Sequence, residues 1–404
     1  MPEIILHAGL HKTGSSSIQA SLKGFDKSGI RYLRLGFANH SVPIVTVFSN
    51  KRYEYHPHRH NGHSHAEVDR IRKSVIQKIS EELTLDREKL IISGEDLSSL
   101  EEAEVVDLRE FLAKFSKNIK VIIYVRDPKS FVSSAHQTHI KIGLKAPSIR
   151  PPRYRQKIEK FINVFGRDQV TVRQFRPELL AGRSVVSDFC EYAGIDFTSV
   201  DEIRANDSVS LPAARIIHDA NCNGMAWKGD PSIVAARRRA VARIGKEIKG
   251  EKFSLPAEFA ASIFEDDDIQ WLKDMTGIDY SSSRSANSAK SANTANNLQT
   301  TDFLEPTSND RKALVALASA LEIPIPDNPS IPNILDRMIC HQVAEDFANH
   351  PTELPRLNFF LLRLDYLSHH LLSKFPFLTI KARNRFLGAA EKRLAKLNSL
   401  LDQN

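Results

Sequence analysis

Short apolar runs alternate with helical patterns along the first half of the chain. Residues 3–8, 89–93 and 119–125 are rich in Ile, Leu or Val, and each run is followed by glycine or charged residues. A fourth run covers 170–175. Because helical stretches separate the runs, the alternation predicts a parallel sheet covered by helices. We therefore expect an α/β fold that binds ligands beyond the carboxyl ends of its strands.

Helical patterns extend beyond this region. They cover residues 16–23, 66–83, 102–117, 184–193, 311–322 and 338–348. Residues 281–301 are rich in Ser, Ala and Asn and contain no aromatic residue, so they bury too little apolar area to offset their conformational entropy. We predict an α/β domain over 1–280, a flexible linker over 281–301 and a mostly helical, basic C-terminal region over 302–404.

The composition of the 404 residues is that of a globular protein, with 41% hydrophobic and 26% charged residues. The three cysteines are far apart and form no CxxC pair, which argues against a disulfide scaffold and a zinc ribbon. No apolar run approaches the roughly 18 residues of a membrane span, and the first residues lack a signal-peptide pattern. The sequence therefore predicts a cytoplasmic protein.

Basic residues are concentrated near the C-terminus. Residues 369–404 contain seven Lys or Arg and two acidic residues, so they account for five of the seven net positive charges. The main body thus gives little reason to expect a nucleic-acid partner. Apolar residues at helical spacing in the same segment predict an amphipathic helix. It could pack on the core, lie at the inner face of the membrane, or contact an acidic glycan or partner.

The loop after the first apolar run combines glycines, a lysine and serines. Residues 9–17 read GLHKTGSSS, and a helical pattern follows. Backbone N–H groups at such a helix N-terminus bind anions, so the loop is interpreted as phosphate-binding. The candidate binding residues are Lys12, Thr13, Gly14, Ser15, Ser16 and Ser17. The order of residues excludes a Walker A motif, and a tight turn with helix-capping serines is the plain structural alternative.

A second anion-binding pattern follows the third apolar run. Residues 126–134 read RDPKSFVSS, which places Arg126 at a strand end and Ser134 in a helix that starts near Pro128. The arginine fork and the hydroxyl could both reach a phosphate that the first loop does not hold. Two such groups suit a ligand with phosphates at both ends.

The pairing of KTGSSS with RDPKSFVSS resembles the sulfotransferases that use 3′-phosphoadenosine 5′-phosphosulfate (PAPS). It is most similar to bacterial sulfotransferases with a KTGTTxxQ motif, whose glutamine matches Gln19. Weaker likenesses involve residues 29–32, 39–40, 93–95 and 204–208, so the resemblance covers about residues 1–280. The GxxGxxK segment of the cytosolic animal members is absent. The resemblance implies a P-loop-like sheet.

The resemblance also implies roles for these residues. Lys12 would stabilise the leaving phosphate, and the loop from Thr13 to Ser17 would hold the 5′-phosphate. Arg126 and Ser134 would hold the 3′-phosphate, with 3′,5′-ADP as the product. No metal is expected. The acceptor would be a hydroxyl of a carbohydrate, glycan or glycolipid. This class is inferred only from the acceptors that are usual in the family.

A general base must accept the proton of the acceptor hydroxyl, and family members use Glu or His. Glu95 is the first candidate because it follows a predicted strand end, although it could instead cap the next helix. His40 is the second candidate and His11 the third. Asn206 and Ser208 either contact the nucleotide or form a turn.

Two other functions and one histidine-rich segment complete the expectations. A P-loop kinase of a small molecule is the enzyme alternative, but it needs a Walker-type lysine and an acidic metal site. The second alternative is a protein without enzymatic activity: a scaffold that binds a nucleotide or a glycan and associates with membranes through its tail. Residues 56–65 contain five histidines and could bind a transition metal adventitiously. We favour a solvated loop that lines the acceptor entrance.

Overall fold

A computed structural model describes residues 1–145, 150–205, 208–224, 231–256, 263, 265–281 and 303–349. The chain divides into two compact units. The first comprises Met1–Ala135, Ile149–Asp207 and Leu255–Asn297, and the second comprises His136–Ser148, Ser208–Ser254 and Leu298–Asn404. The strands and helices given below all belong to the described residues.

The first unit is built on a six-stranded sheet. Its strands are β1 Glu3–Ala8, β2 Asp26–Lys27, β3 Ile30–Tyr32, β4 Lys89–Gly94, β5 Asn118–Val125 and β6 Val170–Gln174. The spatial order is β2-β3-β4-β1-β5-β6, and every pairing except β2 with β3 is parallel. The predicted α/β fold with a parallel sheet flanked by helices is therefore confirmed.

The described helices follow the predicted alternation. In chain order they are α1 Ser15–Leu22, α2 Ser41–Phe48, α3 His56–His60, α4 His65–Leu83, α5 Glu102–Ala113, α6 Pro128–Lys141, α7 Tyr154–Phe165, α8 Val185–Ala193, α9 Leu211–Asn223, α10 Pro231–Glu247, α11 Asp266–Thr276, α12 Ser308–Ala320 and α13 Ile331–Asn349. Helices α9, α10, α12 and α13 lie in the second unit.

The central strand β1 is buried on both faces. Ile4 and Leu6 join a core with residues of α2, α4, α5, α7 and α11, whereas Ile5 joins a second core with residues of α1 and α8. Burying an aliphatic side chain of this size stabilises the fold by about 1.5–3 kcal/mol. Because successive side chains face opposite cores, a shift of one residue would misplace all of them. This fixes the position of the loop that leaves β1.

The register aligns the carboxyl ends of three neighbouring strands. Ala8 of β1 pairs with Gly94 of β4, and His7 pairs with Ile122 of β5. The segments that follow these strands carry the residues predicted to bind anions and to act as the base. They therefore begin at the same edge of the sheet.

The second unit is helical in its described part, which confirms a helical region beyond residue 302. Apart from Ser281, the predicted linker 281–301 lies outside the described residues, as does the basic segment 369–404. The division into domains at 280 and 302 stays a prediction. Among the helices described, none is both long enough and apolar enough to cross a membrane.

Candidate functional site

The loop after β1 ends in a helix N-terminus that has no side-chain cap. Helix α1 begins at Ser15, and Gly14 occupies the capping position with a left-handed φ of 80°. Glycine offers no side chain to cap the first turn. The N–H of Ser17 donates to the carbonyl of Gly14 at 2.9 Å, so the N–H groups of Ser15 and Ser16 are the ones without a carbonyl partner inside the helix. Thr13 Oγ1 donates to the carbonyl of Leu10 at 2.6 Å and closes the loop. The site thus suits an anion.

Gly14 is required by its surroundings as well as by its φ. A Cβ atom at this position would lie 2.7 Å from Cγ1 of Val185 and 2.8 Å from Cε2 of Phe175. Val185 begins α8, and Phe175 follows β6. These two side chains pack against Gly14, so any larger residue would require them to move.

The serines of the loop differ in their surroundings. Ser15 is buried, and its hydroxyl lies 3.5 Å from Oγ1 of Thr13, whereas Ser16 is partly exposed. Ser17 accepts a hydrogen bond from the backbone N–H of Ala205 at 3.0 Å. Gln19 points inward and donates to Ser93 Oγ at 3.3 Å. Ser17 and Gln19 thus help to fix α1 against the rest of the unit.

A hydrogen bond joins the two predicted anion-binding segments. Nη1 of Arg126 donates to the carbonyl oxygen of Lys12 at 3.0 Å, although the two residues lie 114 positions apart. Lys12 itself has a positive φ of 67°, which is uncommon for a residue with a side chain. The arginine therefore holds the lysine's backbone in an unusual conformation.

Arg126 is a partly desolvated cation. Its guanidinium lies 5.5 Å from the ring centroid of Phe175, and burial lowers its pKa. Among the described residues it forms no ion pair with a carboxylate. Arginine remains protonated in proteins, and a buried charge is costly unless it is paired. Asp127, the next residue, is the nearest carboxylate that acts on this charge. A partly buried guanidinium of this kind can bind an anion.

Two tyrosines fix the backbone from which Arg126 projects. Tyr154 donates its hydroxyl proton to the carbonyl of Arg126, and Tyr280 donates to the carbonyl of Val125 at 3.2 Å. Asp268 accepts from the backbone N–H of Tyr154 at 2.7 Å. Sequence reasoning missed these positioning residues, because no local pattern links them to the strand end they support.

Ser134 lies in the second turn of α6 and is partly exposed. Asp127 starts this helix by accepting from the N–H of Ser130 at 2.9 Å. The neighbouring Ser133 is buried and accepts from the N–H of Leu255 at 3.1 Å. Of the two serines, Ser134 is the one with the more exposed side chain.

A histidine of the loop after β1 meets two carboxylates that follow β4. Nδ1 of His11 lies 3.3 Å from Oε2 of Glu95, and its Nε2 lies 3.8 Å from Oδ1 of Asp96. The His11 side chain is 47% exposed, so it can reach an acceptor. Tyr55 donates to the other oxygen of Asp96. The first and third candidates for the base are thus brought together.

His40, the second candidate, is buried and occupied. Its Nδ1 accepts from the backbone N–H of Ser93 at 3.1 Å, which places the ring proton of the neutral form on Nε2. Its ring lies 4.6 Å from that of Tyr32, and burial lowers its pKa to about 4. The lone pair of the neutral ring is therefore already used, and the geometry favours Glu95 and His11 over His40 as base.

Two remaining sequence expectations concern the nucleotide and a metal. Asn206 lies outside the described residues, and Ser208 belongs to the second unit. Across the described ranges, no group of three or more His, Cys, Asp or Glu is arranged to hold a metal ion. The structure describes all the predicted residues of the loop after β1, and it also describes Arg126 and Glu95.

Comparisons with known proteins give distant structural likenesses. No family model matches the chain, and no curated protein matches it. A solved sulfotransferase from Alicyclobacillus acidocaldarius shares 15% identity and has a TM-score of 0.32. The match covers 56% of this chain and 97% of that chain.

Proposed function

We propose that the chain is a sulfotransferase that transfers a sulfuryl group from PAPS to an acceptor hydroxyl. The observation that carries the proposal is the hydrogen bond from Arg126 to the carbonyl of Lys12. It joins two segments that the sequence predicts to bind anions, each following one of two neighbouring strands. Glu95 and His11 border the same loop.

The residues fit the two charged ends of PAPS. The N–H groups of the first turn of α1 suit the 5′-phosphosulfate, since no side chain caps them. Arg126 is a largely desolvated cation that forms no close salt bridge among the described residues, although the adjacent Asp127 acts on it electrostatically, and it suits the 3′-phosphate. ATP and AMP lack a 3′-phosphate, so Arg126 would distinguish PAPS from both. Ser134 would add a hydroxyl donor.

In this proposal, charge placement does most of the catalytic work, since sulfuryl transfer resembles the loose transfer of a phosphoryl group. PAPS would supply the sulfuryl group. Lys12 would stabilise the negative charge that develops on the departing phosphate. Glu95 would take the proton of the acceptor hydroxyl, and His11 would orient the carboxylate through their contact. The proposed reaction uses no metal ion.

The acceptor in the proposal is a hydroxyl of a carbohydrate, glycan or glycolipid. This class follows from the sequence resemblance alone. We also propose that the enzyme is intracellular and that its basic C-terminal segment contacts the inner face of the membrane. A radiolabelled sulfuryl donor offered with a panel of sugars, glycolipids and aryl alcohols would identify the acceptor. Transfer to aryl alcohols alone would contradict the carbohydrate assignment.

Nucleotide-dependent thermal stability tests the donor directly. Three proteins are compared: the wild type, Arg126→Ala and Arg155→Ala. The melting temperature of each full chain is measured with 3′,5′-ADP, with ATP, with AMP and without ligand. Arg155 is the matched control, because it is an exposed arginine paired with Glu159 on one helix. A ligand at 100 times its dissociation constant stabilises the native state by about 2.7 kcal/mol, which shifts Tm by several degrees.

The outcomes separate the three candidate functions. The proposal expects stabilisation by 3′,5′-ADP, weaker stabilisation by AMP, and loss of the difference in Arg126→Ala but not in Arg155→Ala. A preference for ATP would instead support a kinase. No shift with any nucleotide would support a scaffold and would refute the proposal.

A further inference from the structure

The histidine-rich segment differs from the solvated loop that its sequence predicts. Residues His56–His60 form α3, and His58 is only 2% exposed. His63 is partly buried and follows the turn after this helix. Its backbone N–H donates to the carbonyl of His58 at 3.0 Å. Two of the five histidines are therefore held together by the fold, and the solvated-loop prediction is wrong for His58.

The protonation of His58 follows from its neighbour Thr46. The Thr46 hydroxyl donates its single proton to the carbonyl of Val42 at 2.6 Å. Thr46 Oγ1 also lies 2.8 Å from Nε2 of His58, so it can only accept there. His58 consequently carries its proton on Nε2 and presents a lone pair on Nδ1. A histidine that ligates a metal is oriented by the same kind of second hydrogen bond.

The lone pair of His58 faces a second ring nitrogen. Nδ1 of His58 lies 3.1 Å from Nδ1 of His63. Two imidazoles on one tetrahedral zinc ion, with bonds of roughly 2.0–2.1 Å, place their nitrogens about 3.4 Å apart. A change of a few tenths of an ångström would accommodate the ion. Without an ion, Nδ1–H of His63 would donate to His58.

We propose that His58 and His63 form a binding site for a divalent transition-metal ion such as Zn²⁺. Each histidine contributes Nδ1, and water or an outside ligand completes the coordination, because the described residues offer no larger ligand group. On binding, the ring proton of His63 moves from Nδ1 to Nε2. The proposal concerns α3 and the following turn and does not depend on the nucleotide site.

The charge state of His58 is compatible with this role. Burial, and to a lesser extent the neighbouring His63, lower the pKa of His58, which favours the neutral ring. Neutral imidazole is the form that binds metals. The Tyr55 ring packs edge-on against His58 with centroids 6.2 Å apart, which limits its rotation. His58 is therefore held in place by Thr46 and Tyr55, whereas His63 is partly exposed.

Calorimetric titration with Zn²⁺ tests the proposal on the full chain, stripped with a chelator and free of any histidine tag. We expect one ion per chain in the wild type. His63→Ala should weaken Zn²⁺ binding at least tenfold. The matched control is His60→Ala, at an exposed neighbouring histidine, and it should keep the wild-type affinity. Thr46→Val removes the hydrogen bond that orients His58 and should weaken binding by about 10–100-fold.

Each contrary result is informative. Absence of Zn²⁺ binding in the wild type would overturn the proposal. Equal losses in His60→Ala and His63→Ala would also overturn it, because they would indicate loose chelation by the whole segment. Wild-type affinity in His63→Ala would do the same. Circular dichroism of each variant shows whether a loss of binding reflects a loss of the fold.

Discussion

His11 and Glu95 lie at the ends of two neighbouring strands, and their side chains approach to 3.3 Å between Nδ1 and Oε2. The contact spans 84 positions of sequence and depends on the parallel pairing of β1 with β4. It gives the carboxylate a fixed direction beside the loop that holds Lys12. The two residues are therefore best tested together.

Replacing Glu95 tests its assignment as base. Glu95→Gln keeps the size of the side chain but cannot accept a proton, so we expect kcat to fall by about 10²–10⁴-fold. Binding of 3′,5′-ADP should stay near wild type. His11→Gln should reduce kcat less, because Glu95 remains. Steady-state kinetics measures both, and full activity of Glu95→Gln would remove it from the mechanism.

Replacing Lys12 tests the stabilisation of the leaving group. Lys12→Met keeps the length of the side chain and removes its charge, and a single lost electrostatic contact of this kind lowers kcat by about 10²–10³-fold. Lys23→Met, at an exposed lysine just after α1, is the control and should be neutral. If both variants turn over at the wild-type rate, the loop binds the nucleotide without taking part in transfer.

The shape of the loop after β1 depends on Gly14. Gly14→Ala adds a Cβ that collides with Val185 and Phe175, and it also strains a left-handed backbone. Gly24→Ala is the matched control, because Gly24 has a φ of 82° and no atom within 4 Å of the added Cβ. We expect about 1–2 kcal/mol of destabilisation from the backbone in both. The collision should add roughly 1–3 kcal/mol in Gly14→Ala.

Denaturant unfolding of the two glycine variants gives the comparison. Equal free energies of unfolding would mean that Val185 and Phe175 move aside easily. In that case they would not define the loop.

The buried His40 should make the unfolding free energy depend on pH. Its pKa falls from 6.5 to about 4 in the folded chain, so the unfolded chain binds the proton first as the pH drops. Stability is therefore lost between about pH 6.5 and 4, with a slope of up to ~1.4 kcal/mol per pH unit for one proton. His7, whose pKa burial lowers to about 3, contributes in the same direction.

The variant His40→Asn isolates this contribution. The Asn side-chain oxygen can accept the Ser93 N–H but does not titrate, so the slope between pH 4 and 6.5 should decrease by about one proton. Turnover at pH 7 should persist. An unchanged slope would mean that His40 titrates normally, and a loss of turnover would restore it as a candidate base.

The central sheet was predictable because parallel strands buried on both faces are continuously apolar. The runs at 3–8, 89–93 and 119–125 correspond to β1, β4 and β5. In contrast, β2 and β3 have only two and three residues, too few for a pattern. Helix α2, with the sequence SVPIVTVF, is rich in β-branched residues that disfavour helices, and its burial overrides that preference.

The site was predictable where a residue's role follows from its position at a strand end. Lys12 and Arg126 belong to this class, and the structure brings them together. Tyr154 and Tyr280 do not, because they reach the end of β5 from later segments of the chain. His58 shows the opposite error: a polar neighbourhood in sequence suggested solvent, but Thr46 offers it a buried partner.

The bond between Arg126 and Lys12 has a practical consequence for purification. It exists only after β5 has paired with β1, so a truncated or incompletely folded chain would keep the loop but lack the arginine beside it. Under the proposed function, a resin carrying 3′,5′-ADP would retain only molecules in which β1 and β5 have paired. The retained fraction would then measure the yield of correct folding without any enzymatic assay.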